Sequence, residues 1–256
     1  MVNLHETESQ KLPQKQQLCP RYVERCVEVG RRNFCTSSAA LMAISPTDVL
    51  HMSMTEQRIA QFRAMFDRSS LHALFVGVVP HPGEWCPRRG ADFMPVGDWM
   101  ADGARRIADS RGELVKINPF TGVNESGGSD WHRLVTGKTV AAYPHILMAF
   151  DGMSLSEQCA FWYGAITMCR LPVVALVDSG CGLIHGVVRV DCENKEEFDV
   201  AVARAKRVFA SSPISSMRIC IEHLQTPTAC IHLAGCVRAD TCREQRLLYL
   251  ESVVAN

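Results

Sequence analysis

Ser179-Gly-Cys-Gly-Leu-Ile-His185 joins two apolar runs through a turn of small residues and sets an imidazole just past it. Such a turn exposes backbone N–H groups that can form an anion nest, and a histidine beside them can donate to a phosphate or move a proton. Upstream, Ile146-Leu-Met-Ala-Phe-Asp151 ends an apolar run in a carboxylate. Downstream, Ala234-Gly-Cys-Val-Arg238 brings a guanidinium, with Arg243 and Arg246 close behind. Acid, imidazole and guanidinium together are the parts of a site that handles phosphates, provided the fold makes them converge.

Each of these residues also has a plainer reading. Asp151 stands just before Gly152 and Ser154, where it serves equally as a helix cap. His185 on an apolar strand is also a satisfied core histidine. Asp178 and Ser179 are ordinary turn formers. Asp191 reads as a strand-end residue ahead of Glu193-Asn-Lys-Glu-Glu197 rather than as a metal ligand. Arg204, Lys206 and Arg207 form a solvated helix face, whereas Arg238, Arg243 and Arg246 are placed to reach phosphates; Arg88 and Arg89, in a Pro-rich loop, are a weaker candidate. Aromatics make up 7% of residues and form no evident stacking platform.

The elements that must position these groups follow from patterning. With 256 residues, 47% of them hydrophobic, the chain can build a sizeable core. Lys+Arg and Asp+Glu both total 27, so no global field attracts nucleic acid and any polyanion site is local. No run of about 18 apolar residues and no secretory leader pattern occurs, which predicts a cytoplasmic protein without a membrane partner. None of the 12 cysteines shows Cys-x-x-Cys spacing. They read as small buried hydrophobes in a reducing compartment, with Cys230, Cys236 and Cys242 near His232 as a residual zinc alternative.

Residues 1–18 are polar and read as a disordered tail, 19–112 as an N-terminal α/β region and 113–256 as a second domain. Ser53-Met-Thr-Glu56 is a capping box ahead of an apolar helical face at Ile59, Phe62, Met65 and Phe66. Leu74–Val79 reads as a buried strand, 81–90 as a loop, Trp99–Ala108 as a short helix and Leu114–Ile117 as a strand. Residues 123–137 are Gly- and Ser-rich and read as a mobile loop. From Tyr143 the order is strand (145–150), helix capped by Ser154 with Glu157, strand (172–178), strand (184–190), helix (195–210) and strand (216–222). This βαββαβ series predicts an α+β fold with a ferredoxin-like or RNA-recognition-like sheet. There the first and third strands lie side by side and antiparallel, so Asp151 and His185 fall at the same end.

Asn118-Pro-Phe-Thr-Gly122, Ile146–Asp151, Ser154-Leu-Ser-Glu-Gln158, Leu171–Gly180, His185 with Val190-Asp191, Ala234–Arg238 and Gln245-Arg-Leu-Leu-Tyr249 together resemble the primase-polymerase domain of the archaeo-eukaryotic primase superfamily. The likeness spans about 113–250 and is nearest to versions carried by phages, plasmids and integrated elements. It implies nucleotidyl transfer in DNA replication with Mg²⁺ or Mn²⁺, a nucleoside triphosphate and a DNA template, and a helicase or other replication protein as a further partner. It also implies Asp151 and Glu222 as metal ligands, with Asp151, His185 and Glu222 as the catalytic set. Ser179, Gly180, His185 and Arg238 then hold the nucleotide, and Arg238, Arg243 and Arg246 the nucleic acid.

The sequence departs from that pattern at central places. The family's first motif sets two acids one residue apart on one sheet face, and here the pair is Ala149 and Asp151. The hydroxyl residue before the histidine is absent from Leu183-Ile-His185, Gly182 stands where a lysine is common, and Ala229–Gly235 holds no arginine. These departures leave two expectations open: a primase-polymerase with altered chemistry, or a non-catalytic module that binds a nucleic acid, a nucleotide or a protein.

Overall fold

The computed structural model describes residues 21–66, 71–76, 92–109, 114–122, 136–210, 218–219, 224–238 and 240–252. The 1–18 tail, the 81–90 loop with Arg88 and Arg89, most of the 123–137 loop, and Glu222 lie outside them. Helices and strands are mixed, as α+β patterning predicts. In chain order the elements are α1 (Tyr22–Arg32), α2 (Ser38–Ala43), α3 (Met54–Met65), β1 (His72–Val76), β2 (Asp92–Pro95), α4 (Val96–Ala108), β3 (Leu114–Lys116) and β4 (Tyr143–Met148). There follow β5 (Phe150–Asp151), α5 (Leu155–Thr167), β6 (Val173–Asp178), β7 (Ile184–Cys192), α6 (Lys195–Ala210), β8 (Arg218–Ile219), β9 (Cys230–His232) and β10 (Arg246–Leu250).

Both capping boxes form. Ser53 and Glu56 close the start of α3, and Ser154 and Glu157 that of α5, each hydroxyl accepting from the backbone N–H three residues on. Ser154, not Asp151, therefore caps α5. Helix α4 is longer than the Trp99–Ala108 expected and is interrupted inside it, because Asp102, Gly103 and Ala104 take left-handed φ angles of 50°, 69° and 63°.

The strands assemble into a sheet ordered β2-β1-β3-β9, a second ordered β10-β6-β7-β4, and a β5-β8 ladder. Every pairing is antiparallel. β3, at the head of the expected second domain, thus joins the N-terminal strands β1 and β2, and the C-terminal β9 completes that sheet.

Strands β4, β6, β7 and β10 are apolar on both faces, and alternate residues feed different cores. Ile146, Met148, Leu176, Val188 and Leu248 join one cluster with α1, α5 and α6. Its centre is aromatic: Phe150 meets Phe161 edge-on at 4.8 Å, Phe209 at 5.4 Å and Trp162 at 5.8 Å. Leu147, Ala175, Val177, Val187 and Leu247 join the other, with α3, α4 and the first sheet's Val115 and Ile231. The β10-β6-β7-β4 sheet is therefore covered on both sides. Burying each large side chain contributes about 1.5–3 kcal/mol.

Helices α1 and α5 approach unusually closely. A Cβ on Gly30 would stand 2.2 Å from the Ala160 carbonyl oxygen, and one on Gly164 2.1 Å from that of Cys26. Only hydrogen fits between these backbones.

Candidate functional site

The β6–β7 hairpin delivers the Ser-Gly-Cys-Gly turn and His185. Val177 faces His185 across the ladder, and the chain reverses through Ser179–Leu183. Gly180 and Gly182 adopt φ of 74° and 90°, and a Cβ on Gly180 would stand 3.3 Å from Arg243. The turn spends its own polar groups on itself: the Gly180 N–H donates to Asp178 Oδ1 at 2.9 Å, and the Ser179 hydroxyl donates to the Leu183 carbonyl at 2.8 Å. Ser179 is fully buried. An anion held by this turn would have to displace the Asp178 carboxylate from Gly180.

What surrounds the turn is basic. His185, 5% exposed, places its ring 5.0 Å from that of His232 on β9. Arg238 Nη1 lies 3.1 Å from His232 Nε2 and 3.4 Å from Cys181 Sγ, and the Ser179 hydroxyl is 3.1 Å from the same sulfur. A guanidinium has only donors, so His232 Nε2 is the accepting nitrogen. Nε and Nη2 of Arg238 grip Asp240 at 2.5 and 2.8 Å, and these bonds hold the Asp240 carboxyl below its usual range. Arg246 stands opposite Asp178 in the β10–β6 ladder, with Glu244 3.7 Å from its Nε. The three arginines thus wrap the hairpin: Arg238 touches Cys181, Arg243 backs Gly180 and Arg246 starts the neighbouring strand.

Two buried glutamines fix the imidazole-bearing segments. Gln158, on α5, accepts from the Ile184 N–H at 2.8 Å and donates to the Gly182 and Met153 carbonyls at 2.9 and 3.0 Å. Gln61, on α3, accepts from the Ala234 N–H at 2.7 Å and donates to the His232 carbonyl at 3.0 Å. Both are fully buried. Each amide satisfies backbone groups that strand pairing leaves over, and so sets the backbone on which His185 or His232 sits.

Asp151 is placed differently. The Met148–Gly186 pairing brings the exit of β4 beside the entry of β7, so Asp151 and His185 do lie toward one end of the sheet. Yet Asp151 is exposed, on a two-residue ladder where its partner is Arg218. Ala149 is 1% exposed and offers no donor. Among the described residues, no three His, Cys, Asp or Glu side chains gather as a metal site would require. Mg²⁺ and Mn²⁺ need several oxygen ligands, of which the described residues supply Asp151, while Glu222, the other expected ligand, lies outside them. The zinc alternative fails similarly: Cys242 is exposed, Cys236 buried, and His232 faces a guanidinium.

Sequence patterning did not single out His232 as a partner for His185, nor Gln158 and Gln61. The signal that could have found the glutamines was a polar residue inside an otherwise apolar helical stripe.

No family model matches this chain, and no curated protein matches it. Among solved structures, the chain is similar to the AEP domain of the cyanophage S-2L primase-polymerase, at 16% identity and a TM-score of 0.40, over 77% of this chain and 92% of that one. No described helix is long and apolar enough to cross a membrane.

Proposed function

We propose that this chain binds the phosphates of a nucleotide or of single-stranded DNA on a primase-polymerase-type framework of mobile-element replication, and does not itself transfer nucleotides. The motif resemblance supplies the framework. The strand order supports it: β6, β7 and β4 are adjacent, and β5 carries the β4 chain on to β8, as a ferredoxin-like βαββαβ sheet would have it.

One observation carries the choice of binding over catalysis. Arg238, His232 and His185 gather beside the hairpin, while among the described residues the acidic part of the expected site consists of exposed Asp151 beside buried Ala149, which supports binding over transfer. Guanidinium and imidazole groups suit phosphate oxygens. Two-metal transfer needs clustered carboxylates.

A labelled-nucleotide extension assay with Mn²⁺ on a primed template, run beside a strand-binding measurement, tests this reading. It expects no extension product and binding that weakens steeply as salt rises. Template-directed extension abolished by Asp151→Asn overturns it.

A further inference from the structure

Cys26, on α1, and Cys169, just past α5, place their sulfurs 3.5 Å apart although they are 143 residues apart in sequence. We propose that these two thiols form a reversible disulfide under hydroperoxide stress, locking α1 onto α5. The helices are already in backbone contact through Gly30 and Gly164, so the thiols meet across a seam that cannot slide without breaking close packing. The sulfurs must close by roughly 1.5 Å to reach the bond length of a disulfide.

The two thiols have unequal roles. Cys26 is fully buried, while Cys169 is partly exposed. Burial, followed by the neighbouring Cys169, pushes the Cys26 thiol well above its ordinary range. Peroxide therefore meets Cys169 first. Its sulfur attacks one oxygen of hydrogen peroxide, the O–O bond breaks, and a sulfenic acid and one water result. Cys26 sulfur then attacks that sulfenic sulfur, the S–O bond breaks, and the oxygen leaves as a second water with the Cys26 proton. Two thiols lose two electrons and two protons, and one hydroperoxide is reduced. Tyr22, 9% exposed, lies against both sulfurs and screens the pair from bulkier reagents.

Cys35 and Cys159 are the competing pair, near enough for Cys35 to help raise the Cys159 thiol, after burial. Peptide mapping separates the two outcomes. Native full-length protein is treated with a small excess of hydrogen peroxide, quenched with an alkylating reagent and digested without reduction. The expected result is a Cys26–Cys169 crosslinked peptide that dithiothreitol removes, with Tm raised by about 5–10 °C in the oxidised form. Cys169→Ser abolishes both the peptide and the shift, and Cys26→Ala leaves an alkylatable or sulfenic Cys169. A Cys35–Cys159 crosslink in its place overturns the proposal. So does a Cys26–Cys169 crosslink that appears only after denaturation, or oxidation that leaves both thiols free.

Discussion

At one end of the sheet, the hairpin that carries His185 and the β5 strand that carries Asp151 differ in how their polar groups are held. Around the hairpin, Cys181, Arg238, His232 and His185 follow one another in a chain of contacts, and buried glutamines from two helices set the backbones beneath them. Around Asp151 there is an exposed carboxylate, a two-residue ladder and an alanine. A site that must hold charge in fixed geometry requires rigid support for its ligands. Among the described residues the basic side has that support and the acidic side does not, and the proposal of phosphate binding rests on this difference.

The largest expected effect tests the support itself. Gln158→Leu strands the Ile184 N–H and the Met153 carbonyl in a dry interior, and should cost about 2–4 kcal/mol in denaturant unfolding. Gln61→Leu should do the same through Ala234 and His232. A cost under about 0.5 kcal/mol for both would erase the contrast between the hairpin and β5.

Next in size, Arg238→Ala should weaken nucleoside triphosphate or single-strand binding about 10- to 100-fold, the loss of charge-assisted bonds worth roughly 1.5–3 kcal/mol. Fluorescence anisotropy of a labelled oligonucleotide reads it. Asp151→Asn in the same assay should change affinity less than about twofold, because an exposed carboxylate off the cluster contributes little.

Acid sharpens the picture further. Burial lowers the His72 pKa from 6.5, so the stability His72 contributes is present above that value and is lost as pH falls through the depressed folded value. Asp240, Glu157 and Glu56 are held below their ordinary range by hydrogen bonds from Arg238, Ser154 and Ser53 respectively, so their contribution goes only as pH falls further, through the depressed carboxylate values. Urea midpoints between pH 7 and 5 should therefore decline less in His72→Phe than in the native chain. The smallest effect belongs to Ala149→Glu: because position 149 is buried and Asp151 exposed, the two carboxylates should not share an ion, added Mn²⁺ should leave Tm within about 1 °C, and a larger rise would show that the acidic side holds metal after all.

Much of this frame was legible in the sequence, and the reasons for success and failure are physical. Both capping boxes are local, needing only Ser53 with Glu56 and Ser154 with Glu157, and both formed. The runs around 145–150, 172–178 and 184–190 are apolar on both faces, and strands buried on two sides look like that. By contrast α1 and α2 went unread, and β9 is three residues long, too short for any period to show. β10 was folded into the resemblance as Gln245–Tyr249 without being recognised as a strand. At the site, the turn, His185 and Arg238 could be picked out by type. His232 could not, because its meeting with His185 depends on β9 crossing back to β3, a pairing between residues more than a hundred apart. The Gly180 nest was visible as a motif, but its occupation by Asp178 is a matter of side-chain geometry.

Isothermal titration of the full chain with a nucleoside triphosphate, in chelator and free of divalent cations, reaches the central claim most directly. The account predicts saturable binding without metal, weakened at least tenfold by Arg238→Ala and unchanged by Asp151→Asn. Binding that appears only when Mn²⁺ is added and disappears with Asp151→Asn, or no binding under either condition, would contradict it.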